Sequence, residues 1–339
     1  GILRFYSDNN ATVCAELLDA IHDANAGPTR SYGDDRWTQA LAEAFGRFFG
    51  APVAVFPVTT GTAANALALA TLVPPYGAVF AHEDAHLVRD ECGAPEFFSG
   101  GLRLVPLAGA GAKMDAATLE RALESMPASV HTVQPTAVSI TQATELGRVY
   151  RPAEITALAE RAHARHLFLH MDGARIANAL VTLGCSPAAI TWQAGVDVLS
   201  FGATKNGGLA AEAVVFFRPE LVRDFELRRK RAGHLLSKSR YISAQLLAYV
   251  SGDVWRRSAA RANSAARQIG DACGSALLET VEANEVFARL GTSGKAKLRS
   301  QGFEFYDWGA SGSGEARFVA SWDQEPAEVA ALCCALRAL

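Results

Sequence analysis

HLFLHMDGARIANALVTLGCSPAAITWQAGVDVLSFGATKNGG, residues 166–208, contains two apolar runs of strand length, and each leads to one conspicuous charge. HLFLHMD closes on Asp172, with Gly173 and Arg175 behind it. VDVLSF runs into GATKNGG, where Lys205 is the only charge. Lys205 lies between VDVL and LAAEAVVFF, both of which read as buried strands. A surface lysine lays its stem along apolar surface and needs no further reason; a lysine at the seam of a core does. A carboxylate at the C-terminal end of a buried strand sits where α/β proteins place ligands, and it needs a partner there.

Working outward, VAVF (53–56), GAVFAH, LRLVPL, HTVQPTAVSIT and AEAVVFF are further short apolar runs. Helical stretches separate several of them, such as RPAEITALAERAHAR (151–165), with Pro152 suited to a first turn. WTQALAEAFGRFFG (37–50) puts Trp37, Leu41, Ala44, Phe45 and Phe48 on one helical face, stopped by Gly50. TAANALALATL (62–72) is an apolar helix ended by Pro74-Pro75. This alternation predicts an α/β domain with a mostly parallel sheet covered on both faces. The last ~85 residues mix helix with short strands and read as a smaller α+β domain. The expected division is an N-terminal arm over residues 1–20, a large domain over 21–250 and a small C-terminal domain over 251–339.

Composition narrows the function classes. The 339 residues are half hydrophobic and one-fifth charged, with a net charge of −3. Neither nucleic acid nor an anionic membrane surface is an expected partner for that balance. No apolar run reaches the ~18 residues of a membrane span, and GILRFYSDNN does not read as a secretory signal. The six cysteines are scattered without a CxxC pair, which reads as reduced thiols of a cytoplasmic protein.

Two more segments carry chemistry. In TTGTAANALALA a strand gives way to a helix through Thr59-Thr60-Gly61-Thr62. Gly61 allows the tight turn, Thr62 can cap, and the free N–H groups of the first turn form an anion site suited to a phosphate. AHEDAHLVRDECGAPEFF (81–98) holds His82 and His86 at i, i+4 with Asp90 and Glu91 downstream. A zinc protease helix would read HExxH; this is HxxxH without a third ligand, and no metal is expected. His86 serves better as a ring stacked on a cofactor. A phosphate cup, a strand-end aspartate and a strand-end lysine together meet the needs of pyridoxal 5'-phosphate: a Schiff-base lysine, an acid against the pyridine nitrogen and an anion cradle.

The chain resembles the low-specificity L-threonine aldolases and the related phenylserine aldolases over roughly residues 5–325. The motifs that carry the likeness are SDN (7–9), YGDD (32–35), TGTAAN (60–65), HLVRDECGAPEFF (86–98), SITQATELG (139–147), HMDGARIANAL (170–180), SFGATKNG (200–207) and ARFVASW (316–322). The resemblance implies the aspartate-aminotransferase-like fold of type I and retro-aldol cleavage of 3-hydroxy-α-amino acids, with β-elimination or transamination as the alternative chemistry. It implies that Lys205 carries the cofactor, Asp172 contacts its ring nitrogen, Gly61 and Thr62 hold its phosphate, and His86 stacks on it. Ser7, Arg175 and Arg317 match the positions that hold the substrate carboxylate, and Arg175 also borders the cofactor. RRKRAGHLLSKSR (228–240), including Lys230, matches basic residues brought to the phosphate, often from a neighbouring subunit. Tyr32 is expected to reach the partner's site in a homotetramer built as a dimer of dimers. One departure stands out: the histidine-bearing segment of many threonine aldolases is replaced by SITQATELG. That leaves the base for the substrate hydroxyl among His86, Glu145, His131 and a bound water. Phe305, Tyr306 and Trp308 are candidate aromatic walls for a phenyl side chain.

Overall fold

The computed structural model describes residues 3–339. Its central sheet has seven strands: β1 (Ala54–Val58), β2 (Gly77–His82), β3 (Arg103–Leu107), β4 (Gln134–Thr141), β5 (Phe168–Gly173), β6 (Val198–Gly202) and β7 (Glu212–Phe216). Their spatial order is β1-β7-β6-β5-β4-β2-β3. The pairs from β3 to β6 are parallel, while β7 runs antiparallel to both β6 and β1. The exception has a simple cause. The connection between β6 and β7 is too short for the crossover of a dozen or more residues that a parallel neighbour requires, so the chain folds straight back. In β2, β6 and β7 every residue is buried, as expected of strands covered on both faces.

Helix α1 (Gly61–Leu72) lies against this sheet and is buried from Ala63 to Leu72. Apolar residues all round are what such a central position demands. The stretch after Trp37 differs from the single amphipathic helix expected: it forms Arg36–Gln39 and Leu41–Phe49, broken at Ala40. Gly50 ends the second piece in the left-handed region at φ 69°. Leu41, Ala44, Phe45 and Phe49 face the core, where Phe45 and Phe49 pack edge-on against Phe201.

Toward the C-terminus, Glu285–Arg289, Glu315–Val319 and Tyr306–Trp308 form an antiparallel three-stranded sheet. Helices Val254–Cys273 and Pro326–Arg337 help to close a separate apolar cluster containing Val286, Leu298, Phe318 and Leu332. The N-terminal stretch is built into this part of the molecule. Leu3–Arg4 pairs with Phe303–Glu304, and Phe5 lies in the same apolar cluster. Asp8 is thereby carried toward the C-terminal ends of the central strands. Among the described residues, no helix is long and apolar enough to cross a membrane.

Candidate active site

The parallel strands deliver their chemistry to one edge. Register pairs Thr141 of β4 with Asp172 of β5, and Asp172 with Ser200 of β6, so these strand ends lie level. The turn Thr204–Asn206 follows β6 and carries Lys205. His86 opens a short helix after β2, and Gly61 opens α1 after β1. One pocket is lined by Asn9, Gly61, Thr62, Asn65, His86, Glu91, Thr141, Glu145, Asp172, Arg175 and Lys205, with Ala143 and Ala174. Residues 196 positions apart in the chain, Asn9 and Lys205, meet here because the strands end in common at this edge.

The helix start is prepared for an anion. Thr60, rather than Thr62, is the cap: its Oγ1 accepts from the Ala63 N–H at 3.0 Å, and its carbonyl accepts from Ala64. Gly61 and Thr62 keep first-turn N–H groups that the helix itself cannot satisfy. A side chain at Gly61 would crowd the cup, since its Cβ would lie 3.3 Å from Glu212 Oε1. Glu212 is a buried carboxylate that the sequence reading did not single out. Its Oε2 accepts from the Ala203 N–H at 3.0 Å, the Thr204 N–H at 3.2 Å and Thr204 Oγ1 at 3.0 Å, fixing the turn that bears Lys205. Burial pushes its carboxyl up to about 7 despite Lys205's charge and these donors.

Asp172 is buried and held at both oxygens: Ala174 N–H donates to Oδ1 at 3.1 Å and Asn65 Nδ2 to Oδ2 at 2.9 Å. The same Asn65 nitrogen donates to Glu91 Oε1 at 2.8 Å, and Glu91 Oε1 meets His86 Nδ1 at 2.9 Å. Glu91 raises the imidazole's pKa, against the effect of burial. Asn65 and Glu91 thus brace both Asp172 and His86. Their signal in the sequence was a lone amide in an otherwise apolar helix and an acid five residues beyond His86.

The expected carboxylate clamp is more elaborate than two free arginines. Arg175 makes a bidentate pair with buried Asp8, Nε to Oδ2 at 2.8 Å and Nη2 to Oδ1 at 3.0 Å, and its Nη1 lies 3.3 Å from Glu285. Arg317 Nε is 3.1 Å from the other oxygen of Glu285, and its guanidinium stacks over Trp308 at 5.5 Å. Asn284 donates to Asp8 at 3.0 Å. Arg317 therefore backs the site through Glu285, and is absent from the pocket lining among the described residues.

Four expected residues lie elsewhere. His131 is in an exposed turn before β4, whose far end reaches the pocket, so a full strand length separates them. Ser7 spends its hydroxyl accepting from the Asn9 N–H at 3.0 Å and lines a different cleft; Asn9 and Asp8 take the site positions instead. Tyr32 is half exposed, with the Lys230 ammonium 4.9 Å from its ring, and neither residue lines this pocket. Of the aromatic candidates, Phe305 is buried in the C-terminal cluster and Tyr306 stacks on Tyr6. Only Trp308 turns toward the loop that bears His86, sharing a cleft with Asp84, Arg89 and Asp90. His82 is engaged by the Gly109 carbonyl at 2.7 Å and by the Asp84 N–H at 3.0 Å.

Fold and site define a pyridoxal-phosphate enzyme of fold type I, and the comparisons agree. The chain belongs to the beta-eliminating lyase family, whose model matches residues 4–292. It is similar to the low specificity L-threonine aldolase of a Pseudomonas species, at 44% identity over 99% of this chain and 97% of that one. The protein of the same description from Pseudomonas aeruginosa is 44% identical over 95% of this chain and 93% of its own length. A solved threonine aldolase from Leishmania major superposes with a TM-score of 0.93 at 26% identity, covering 99% of this chain and 98% of that one. An aspartate aminotransferase from Rhodobacter sphaeroides shares the fold, with a TM-score of 0.74 over 99% of this chain and 92% of that one at 19% identity. The protein is a pyridoxal-phosphate-dependent lyase. The residues present fit that group: an amine, a braced acid and a capped helix start share one pocket, and buried Asn65 Oδ1 and Glu91 Oε2 lack partners among the described residues.

Proposed function

We propose that this lyase is an aldolase, cleaving L-3-hydroxy-α-amino acids, L-threonine and L-phenylserine among them, to glycine and an aldehyde. The observation that carries the reading is the meeting of Lys205, Asp172 and the Gly61–Thr62 helix start beside Arg175 in one pocket. The names of the 44% identical relatives support the aldol reaction among those the fold can host.

Lys205 would hold the cofactor through its amine. Gly61 and Thr62 would hold its phosphate, and His86 would lie against its ring. Asp172, its carboxylate aimed by Asn65, would hold a proton at the ring nitrogen. Bound there, pyridoxal phosphate supplies an electron sink for charge arriving at the amino acid's Cα. Arg175, anchored by Asp8, presents its guanidinium to the substrate carboxylate, and Arg317 backs it from outside the pocket through Glu285. Orienting that carboxylate selects the Cα–Cβ bond for cleavage rather than Cα–H.

The working form is proposed as a cytoplasmic homotetramer. Arg175 is neutralised by acids and Lys205 is committed to the cofactor, so a dianionic phosphate gains from a cation brought by a second copy. Lys230 and Tyr32 stand ready on the surface; Leu227, next to the basic segment, and Phe97, which shares a cleft with Arg228 and Arg231, are three-quarters exposed. Such apolar exposure suits an interface. All six cysteines are free thiols, in keeping with a reducing compartment.

The test is product analysis. Purified holoenzyme given L-threonine should release glycine and acetaldehyde in equal amounts. Ammonia with a 2-oxo acid, or a transaminated product, would replace the aldolase reading by another lyase or transferase chemistry.

A further inference from the structure

Glu145 is only half used by the contacts around it. It follows β4, lines the pocket and presents two oxygens in different circumstances. Oε1 accepts from Thr141 Oγ1 at 2.7 Å and from the His86 N–H at 3.0 Å, which fixes the carboxyl against the pocket wall. Oε2 is buried and has no hydrogen-bond partner among the described residues. A buried carboxylate oxygen left without a donor is costly, and a native structure retains one where it has work to do.

The other candidates are committed. His86 has its Nδ1 tied to Glu91, which Asn65 braces in turn, and its ring face is assigned to the cofactor. Asp172 has donors on both oxygens. His131 lies at the other end of β4.

We propose that Glu145 is the acid–base residue for the substrate's β-hydroxyl, with Oε2 as the atom that takes and returns the proton; this rests on the aldolase reading above. In cleavage the hydroxyl O–H bond breaks and its proton passes to Oε2. The electron pair left on oxygen forms the aldehyde C=O as the Cα–Cβ bond breaks, and bound pyridoxal phosphate would take up the pair released at Cα. Once the aldehyde departs, the proton leaves Glu145 for water and a proton from solvent is added at Cα to complete glycine. In the synthetic direction protonated Glu145 donates to the aldehyde oxygen as the Cα–Cβ bond forms.

The surroundings suit both states. Burial raises the carboxyl, Thr141's hydroxyl and the His86 N–H lower it, and Asp172's charge raises it, leaving it at about 7. Glu91 and Asp172 are the other acids on this pocket; Lys205, Arg175 and His86 are its basic groups. A group poised near neutrality exchanges protons efficiently in either direction.

Glu145→Gln keeps the shape and an acceptor for Thr141 and His86 but removes the base. It should lower kcat for cleavage of L-threonine by about 10²–10⁴-fold. The absorbance of bound cofactor and the exchange of glycine's α-hydrogen with deuterated water should persist, since neither needs a β-hydroxyl. A pH-dependent step near neutrality in the kcat/KM profile should disappear. In the protein freed of cofactor, infrared titration should show a protonated buried carboxyl near pH 7 that is missing from the variant. Undiminished cleavage by Glu145→Gln overturns the proposal, as does equal loss of cleavage and glycine exchange. If the unmodified enzyme forms no aldehyde and glycine at all, the aldolase reading falls first and this proposal with it.

Discussion

Asp8 holds Arg175 from behind the pocket and Glu145 lines it; both carboxyls are buried, yet they move in opposite directions. Burial alone drives both upward. At Asp8 the charge and hydrogen bonds of Arg175, Lys205's charge and Asn284's amide outweigh it and pull the carboxyl to about 2. At Glu145 two neutral donors do not, and the carboxyl rises to about 7. One wall is a lattice of paired charges, Asp8–Arg175–Glu285–Arg317, that gives shape. The other is an underpaired acid, suited to proton transfer. Equal burial therefore says little about role; the count of partners decides it.

Lys205 lines the pocket that both carboxyls serve, and removing it is the most severe way to break the arrangement. Borohydride should fix cofactor to a peptide containing Lys205 in the unmodified enzyme. Lys205→Ala should lose that link and all measurable turnover while keeping its fold by circular dichroism. Labelling of a different lysine would refute the assignment.

Breaking the paired wall should cost stability. Asp8→Asn leaves Arg175 buried without its bidentate partner, and breaking a buried pair in this way costs about 3–5 kcal/mol. Denaturant unfolding of the cofactor-free protein measures it. The sign of the pH effect also follows. Asp8's carboxyl is depressed from 3.8 to about 2, so its stabilisation is present above pH ~4 and lost as pH falls through 2. The unmodified protein should lose roughly 2 kcal/mol more than Asp8→Asn across that window.

The underpaired wall should behave in reverse. Glu145's carboxyl is raised from 4.5 to about 7, so folding favours its neutral form and pays increasingly as pH climbs through that interval. Cofactor-free Glu145→Gln should therefore gain on the unmodified protein between pH 5 and pH 8, by roughly 3 kcal/mol at most. Parallel stability curves for the two proteins would mean that Glu145 is ionised at little cost.

What could be read from the sequence divides along the same line. Lys205, Asp172 and the Gly61 turn were legible because each interrupts an apolar run at a strand end, and a parallel sheet sends such ends to one edge. Glu145 came into view only through the resemblance, as a polar residue of the SITQATELG segment that stands in place of the histidine-bearing one. The paired lattice was not legible as a lattice. Asp8 and Arg175 are 167 positions apart, and each alone resembles an ordinary surface charge. Glu212 and Glu285 left a fainter signal, single acids at the head of otherwise apolar strands, where burial forces a partner. Ser7 spends its hydroxyl on a local turn that no periodicity reveals, which leaves its neighbours Asp8 and Asn9 at the site, and Tyr32 stays on the surface, where the proposed second copy would meet it.

The smallest expected effect sharpens the comparison at its rim. Trp308 stacks on Arg317 at the edge of the paired wall and shares a cleft with Asp84, Arg89 and Asp90, the residues flanking His86. Phe305 and Tyr306 are occupied elsewhere, while Trp308, though packed on Phe287, is the aromatic of that segment that lines this cleft. An aromatic pair contributes about 0.5–1.5 kcal/mol beyond the area it buries. We expect L-phenylserine to be cleaved to benzaldehyde and glycine with a kcat/KM at least equal to that for L-threonine. Trp308→Leu, which preserves apolar bulk, should lower kcat/KM for phenylserine by about two- to tenfold, the range those energies span. Threonine, whose methyl group is too short to use a ring at the rim, should be cleaved as before. An equal fall for both substrates would assign Trp308 to the support of Arg317, and so to the shape-giving wall instead of to specificity.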